Sequence, residues 1–348
     1  MEKLHLGIGN KRLVNQKGKI IFVIFDIPNK KFNGEEICKQ RTPLCDRYCY
    51  VTTCTEKRTE STYEPYNNYR RINYKLSKQS DFVEKMKEKI EKLLEKLSEE
   101  EKIYFRIHSS GEFYSYEYFV KWAEIASKYK DDDRISFIAY TKSFSILDKY
   151  FNTYKHRPNM IINLSIMYDT YDTYSEQFGS KPYGKTVTEE IINRLIKNYN
   201  AKIYYVAPEW IKPQMAQKNF LECKFSKVNP KTKEKYNCGE CMMCYNDNQI
   251  KIYTELLKCS LLRYGKILEE KNIEQAIVWY KECIFHDNNV KRKYEAYKRL
   301  NIICKKENMY KNQIIVLKSA IQAFKDMGNM VDKEYFERQL KKADKNID

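Results

Sequence analysis

Two groups of cysteines in this sequence are spaced closely enough to bind metal. The first group stands in CKQRTPLCDRYCYVTTC, and the second runs through CKFSKVNPKTKEKYNCGECMMC. Thiolates are the ligands that zinc and iron–sulfur clusters use in proteins. The predicted metal ligands are Cys38, Cys45 and Cys49, which we call the first cysteine set, and Cys223, Cys238, Cys241 and Cys244, the second cysteine set.

The spacing within the first set favours an iron–sulfur cluster over zinc. Six residues separate Cys38 from Cys45 and three separate Cys45 from Cys49. Structural zinc sites prefer paired C-x2–4-C knuckles, whereas three thiolates can hold a [4Fe–4S] cluster and leave its fourth iron open. Four residues separate Cys49 from Cys54, and the spacing leaves open whether Cys54 is also a ligand.

The second set has enough ligands for a closed metal centre. Cys238-x2-Cys241-x2-Cys244 follows Cys223, so four thiolates are available for a [4Fe–4S] cluster or a tetrahedral zinc ion. The tight triplet favours a cluster, with zinc as the alternative. The same loop carries Lys224, Lys227, Lys231, Lys233 and Lys235. These lysines keep open a second interpretation, a basic metal-stabilised finger that binds nucleic acid.

Composition narrows the class of protein. The chain has 348 residues, an odd number of cysteines (11), and no export signal near its start, which argues against a disulfide framework. No run approaches the ~18 apolar residues of a membrane helix. We therefore predict a cytoplasmic protein without a membrane partner. The net charge of +17 is compatible with a nucleic-acid partner, although a Lys- and Tyr-rich composition also follows from an AT-rich genome.

Alternating hydrophobic patterns predict an α/β fold for residues 1–207. Short apolar runs alternate with amphipathic helical segments, as in βα units around a parallel sheet. A partial or complete (β/α) barrel is the expected architecture, and a doubly wound open sheet is the alternative. The predicted strands are Lys19–Ile27, Ile103–Ile107, Ile135–Tyr140, Met160–Met167 and Lys202–Ala207, and the predicted helices are Ser80–Leu97, Tyr116–Tyr129, Ser143–Asn152 and Thr188–Tyr199.

Two further regions follow. Residues 208–248 contain three prolines and the second cysteine set, so we predict a segment that a metal must staple. Residues 249–348 contain no proline and are predicted to be all-helical, with helices over Ile273–Phe285, Tyr294–Cys304 and Gln313–Phe324. The helices loosely resemble tetratricopeptide hairpins, which would imply a protein partner; a helical bundle is the alternative.

The first cysteine loop resembles that of radical S-adenosylmethionine enzymes. A strand, a three-cysteine loop ending in the aromatic Tyr50, a helix and a second strand ending in Ser110-Gly111-Glu112 follow that superfamily's order. The superfamily's usual cysteine spacing is three then two, so the match is incomplete. The resemblance implies one or two [4Fe–4S] clusters, S-adenosylmethionine bound by the strand-end motif, and an electron donor such as a flavodoxin or ferredoxin.

A closer resemblance covers residues 1–248. The pieces GNKRL, RIHSSGEFYSYEYFVKWAEIA and FIAYTKS, together with both cysteine groups, resemble the phage gene product 88 family. That family typically shows Asp where Glu112 stands, so the carboxylate is kept. The resemblance implies a grouping and not a reaction.

Further residues at predicted strand ends are candidates for the site. Barrel enzymes carry their chemistry at the carboxyl ends of the strands, where we place His108, Thr141 and Lys142. His108 and Lys142 are the candidate catalytic residues, and Tyr50, Ser110, Gly111, Glu112 and Thr141 are the candidate cofactor-binding residues. The expected function is a radical S-adenosylmethionine-like enzyme. The alternatives are a zinc-stapled nucleic-acid-binding phage protein and a degenerate barrel that keeps its clusters without turnover.

Overall fold

The computed structural model describes residues 2–9, 19–42, 45–46, 49, 51–52, 60–167, 189–208, 221–223, 238–245, 252–257, 261–269 and 272–344. These residues form two compact units. The first contains the described residues up to Leu257 other than Pro208, and the second contains those from Leu261 onward. No helix within the described ranges is both long and apolar enough to span a membrane.

The first unit is built on an eight-stranded sheet, which confirms the α/β class. Its strands lie in the order β1-β2-β5-β6-β7-β8-β10-β9, and a separate hairpin pairs β3 with β4. The strands are β1 (Gly7–Ile8), β2 (Ile20–Phe25), β3 (Lys31–Phe32), β4 (Glu35–Glu36), β5 (Lys102–Ile107), β6 (Ile135–Thr141), β7 (Ile161–Met167), β8 (Lys202–Pro208), β9 (Leu221–Glu222) and β10 (Ile252–Leu257).

Five strands, β2, β5, β6, β7 and β8, are parallel neighbours in chain order. A doubly wound sheet would reverse its strand order near the middle, and this part of the sheet does not. Right-handed crossovers added in one direction bring their helices to one face. The described strands end in β1 and β9 at the two edges, so the predicted barrel closure stays a prediction.

The connecting helices pack side by side on that face. They are α1 (Glu60–Ser77), α2 (Phe82–Leu94), α3 (Tyr116–Lys128), α4 (Phe144–Tyr154) and α5 (Glu189–Tyr199), and a one-turn helix, α6 (Cys238–Cys241), follows later. Neighbouring pairs from α2 to α5 are in contact. Ser115 begins α3 because its side chain accepts a hydrogen bond from the Tyr118 backbone N–H.

Alternation along the strands divides the side chains between two faces. Phe25 and Phe105 point toward the helices, where the fully buried Trp122 of α3 meets both rings and that of Phe82 edge to face or tilted. The opposite face, which we call the inner face, carries Phe22, Ile24, Tyr104, Arg106, Ile138, Tyr140, Ile161, Asn163, Ser165, Lys202 and Tyr204.

The second unit is helical, but it begins later than the sequence predicts. Residues 252–257 form β10, which pairs with β9 in parallel, so the helices begin at Leu261 and not near Gln249. Its sequence, IYTELL, does not alternate between apolar and polar residues, so local periodicity gives no sign of a strand, and the pairing with β9 comes from tertiary structure. The helices are α7 (Leu261–Glu269), α8 (Ile273–His286), α9 (Val290–Lys306), α10 (Tyr310–Asp326) and α11 (Met330–Asp344), and each packs against the next.

Trp122 offers a test of the helix-facing core. Trp122→Ala removes the largest side chain of this layer, so we expect the free energy of unfolding to fall by about 3–5 kcal/mol in urea titrations. Ile8→Ala is the control, because Ile8 is 69% exposed. Its expected cost is below about 0.5 kcal/mol. Similar losses in both variants would contradict the assigned core.

Candidate functional site

The carboxyl end of β2 is joined to the turn after β5 by one carboxylate. Asp26 accepts hydrogen bonds from the backbone N–H groups of Ser109 and Ser110 at 2.6 and 2.7 Å, and from the Ser109 hydroxyl at 2.7 Å. The Ser110 hydroxyl in turn donates to the Ile27 carbonyl at 2.9 Å. The SSGE turn is therefore held against the segment that leads into the first cysteine set. Sequence reasoning missed Asp26, whose signal was a single acid at the end of an apolar run.

Gly111 is required by this close approach. Its φ is +89°, and a Cβ there would lie 2.3 Å from Ile27 Cγ1 and 3.0 Å from the Ile27 and Pro28 carbonyl oxygens. An L-residue would be strained in this conformation and would also collide with the β2 segment. Gly111 thus shapes the turn.

Glu112 joins the end of β5 to the end of β6. Its carboxylate accepts from the Thr141 hydroxyl at 2.7 Å, the Lys142 backbone N–H at 2.6 Å and the Phe113 backbone N–H at 3.0 Å. Burial raises the pKa of Glu112, and these hydrogen bonds oppose that rise by stabilising the carboxylate. Glu112 and Thr141 therefore act together at this edge of the sheet.

The ammonium of Lys142 interacts electrostatically with the same carboxylate and with the thiols. Its Nζ donates to the Ser165 hydroxyl at 2.9 Å, which ties β6 to β7. Burial alone would lower the pKa of Lys142, but the charges of Cys45, Glu112 and Cys38 outweigh burial and raise it. Lys142 is thus a cation on the inner face beside a group of potential anions.

The first cysteine set converges on this position. The Lys30 backbone N–H donates to Cys38 Sγ at 3.3 Å, and Asn29 Nδ2 donates to Cys49 Sγ at 3.5 Å. Burial raises the pKa of the Cys38 thiol, and the charges of Glu112 and of the Cys45 thiolate raise it further. The predicted ligands Cys38, Cys45 and Cys49 therefore share one environment with Glu112 and Lys142.

The second cysteine set also converges, on the inner face. Burial raises the pKa of Cys244 to about 12, with contributions from the charges of Cys223, Cys238 and Cys241, while a hydrogen bond from Tyr140 opposes the rise. The thiols of this set are half-buried and form no disulfide. Cys238 and Cys244 pack against the same apolar cluster on the inner face, and Cys223, up to 21 positions away in sequence, contributes to the electrostatic environment of Cys244.

Within the described ranges, no three His, Cys, Asp or Glu side chains are arranged to hold a single metal ion. Metal binding by either cysteine set therefore stays a prediction. Tyr50, Cys54 and the five lysines between Cys223 and Cys238 lie outside the described residues.

His108 directly follows the carboxyl end of β5, where the sequence places it, but its side chain faces the helices. Its side chain packs among Phe25, Phe113 and Tyr118 on the helix-facing side, and its Nε2 is 2.8 Å from the Tyr118 hydroxyl. Burial, and then the charge of Arg106, lower the pKa of His108 to about 3. Its backbone φ of +64° places it in the left-handed region at the start of the SSGE turn. His108 is a neutral, buried residue that supports the turn, and none of its described contacts involves the cysteines.

Both cysteine sets and the SSGE turn lie within one region of family similarity. The family model of gene product 88 matches residues 4–247. The chain belongs to the gene product 88 family. The match contains every predicted site residue and excludes the helices from Leu261 onward. No curated protein and no solved structure matches the chain significantly.

Gly111 provides a test of the turn that positions Glu112. Gly111→Ala combines a positive φ with a collision, whereas Gly34→Ala has a similar φ of +82° and no atom within 4 Å. We expect Gly34→Ala to cost about 1–2 kcal/mol of unfolding free energy. Gly111→Ala should cost a further 1–3 kcal/mol or so, the usual cost of overpacking. Equal costs in urea titrations would show that Ile27 yields to the added methyl group.

Proposed function

We propose that this member of the gene product 88 family is an iron–sulfur enzyme of the radical S-adenosylmethionine type. The observation that carries the proposal is made at the carboxyl ends of β2, β5 and β6. Asn29 and Lys30, which follow β2, hydrogen-bond to Cys49 and Cys38, and the same segment is joined to the turn that carries Glu112 and, through Glu112, to the Lys142 backbone. Parallel α/β sheets bind their ligands at this edge, because the loops and helix starts that follow the strands meet there.

The thiols of the first cysteine set suit an iron–sulfur cluster better than a single zinc ion. Four thiolates around one zinc ion approach one another closely, since each Zn–S bond is only ~2.3 Å long. The loop offers three described thiols, at spacings of six and three residues. A [4Fe–4S] cluster spreads its ligands over separate iron atoms, so it accepts three thiols that face a common space at larger separations. Cys38, Cys45 and Cys49 are therefore the proposed cluster ligands.

When bound, such a cluster supplies one electron for the cleavage of S-adenosylmethionine to methionine and a 5′-deoxyadenosyl radical. The protein's own residues would bind and orient the methionyl group. Glu112 offers a carboxylate to an ammonium group, and Lys142 offers an ammonium to a carboxylate. Ser110, Gly111 and Thr141 hold Glu112 in place, and Tyr50 follows the third ligand in sequence.

The second cysteine set would hold a closed centre with four thiolate ligands. A cluster is our preferred occupant, and zinc is the alternative. The two candidate centres would lie on the same sheet, one at its carboxyl edge and the other against its inner face.

Metal analysis tests the proposal directly. Protein purified without oxygen should contain iron and sulfide, and changing Cys38, Cys45 and Cys49 together to Ala should remove about half of the iron, because one of two clusters loses its ligands. The matched control changes Cys283 and Cys304, two buried helix cysteines of the second unit, to Ala and should retain all of it. Zinc without iron would contradict the proposal and favour the nucleic-acid-binding alternative.

Glu112 tests the binding of S-adenosylmethionine. Glu112→Gln removes a charge-assisted contact worth roughly 1.5–3 kcal/mol, so affinity should fall about ten- to hundred-fold in calorimetry while iron content stays constant. Glu117→Gln, a neutralisation at an exposed position in the first turn of α3, is the matched control and should leave affinity unchanged. Equal affinity for S-adenosylmethionine in both variants would show that Glu112 only stabilises the turn and does not bind the ligand.

A further inference from the structure

The segment 238–245, which carries three of the four cysteines of the second set, packs on the inner face of the sheet. Tyr245 is its most buried side chain, with 2% exposed. Its ring meets those of Phe22 and Tyr104 edge to face at 5.2 and 5.9 Å, and Ile138 lies in the same apolar cluster. The environment of the second cysteine set is therefore formed by the strands themselves.

Polar side chains from four adjacent strands reach this segment. Asn163 Nδ2 on β7 donates to the Cys244 carbonyl at 3.2 Å, and Lys202 Nζ on β8 donates to the Met243 carbonyl at 3.1 Å. Tyr140 on β6 is the register partner of Asn163, packs with Cys244 against the same apolar cluster, and directs its hydroxyl to the Cys244 thiol. Arg106 on β5 interacts with the Tyr245 hydroxyl. Four thiolates outweigh the positive charge of the metal they bind, so two cations beside this set match the negative charge of a loaded centre.

Tyr140 is held in position by its neighbours. The Arg106 guanidinium carbon lies 4.7 Å from the centroid of the Tyr140 ring, a cation–π distance, and the Tyr204 ring meets it edge to face at 5.4 Å. Since a ligated thiolate has no proton to give, the Tyr140 hydroxyl must be the donor to Cys244 Sγ when metal is bound. The two adjacent residues, Thr141 and Lys142, belong to the first site, so one strand end serves both cysteine sets.

We infer that Tyr140, held by Arg106, is a positioning residue of the second cysteine set that donates a hydrogen bond to the Cys244 sulfur and thereby raises the reduction potential of the bound cluster. Hydrogen bonds and nearby cations stabilise the more negative, reduced state of a cluster. The inference rests on the proposed function in one respect, that the second set holds iron and not zinc.

The test isolates the second centre before changing the tyrosine. The full chain with Cys38, Cys45 and Cys49 changed to Ala retains only the second set, and its midpoint potential is measured by redox titration followed by electron paramagnetic resonance. Adding Tyr140→Phe should shift that potential to a more negative value with iron content unchanged. Tyr118→Phe is the matched control, because it removes a buried hydroxyl bonded to His108 on the other face of the sheet; the potential should not move.

Arg106→Gln provides a second variant should Tyr140→Phe fail to fold. Loss of the cation next to Tyr140 should shift the potential in the same negative direction. An unchanged potential in a folded, iron-loaded Tyr140→Phe protein, or in Arg106→Gln where that variant stands in, would overturn the inference and leave the proposed function intact. Zinc in place of iron at the second set would also overturn it. The amount of iron that the triple variant loses tests the proposed function and not the role of Tyr140. The two failures are therefore distinguishable.

Discussion

The carboxylate of Asp26 is the contact on which the rest of the site depends. Parallel strands end at a common edge, but their loops are free to diverge unless something joins them. Asp26 accepts three hydrogen bonds from the turn after β5, so that turn cannot leave the segment that leads to the first cysteine set. The Glu112 carboxylate forms the same kind of link one strand further on, because its hydrogen bonds join the end of β5 to the end of β6. Two carboxylates therefore assemble the ends of three strands into one surface.

The two faces of the sheet carry different kinds of side chains. The helix-facing side is an aromatic and aliphatic layer around Trp122, and it includes the neutral His108. The inner face mixes apolar side chains with Arg106, Tyr140 and Lys142. Charged groups there would be costly in a purely structural core, since desolvation penalises each of them. Their concentration beside two sets of thiols is the physical basis for placing function on this face.

The helices from Leu261 onward form a separate compact unit outside the region of family similarity. Within this unit Phe324 and Phe336 stack, and Gln313 donates to Asn301 at 2.8 Å. The resemblance to tetratricopeptide hairpins and a partner-binding role remain predictions. The proposed chemistry requires none of these residues.

The sequence alone determined the alternation of strands and helices, both cysteine sets and the family, because each is expressed in local periodicity or short spacing. Predicted strands and helices lie within a few residues of those observed in β2, β5 to β8 and α2 to α5. Tertiary structure decided which side chains meet. Asp26 and Ser109 are 83 positions apart, and Asn163 and Cys244 are 81 apart, so only strand register and crossover direction bring them together. Alternation along β6 placed Tyr140 on the inner face beside the second cysteine set, and no local pattern states which face meets a distant segment. His108 follows β5 with a φ of +64°, which ends the alternation there, so its side chain lies in the helix-facing layer although Arg106, two residues earlier, is on the inner face.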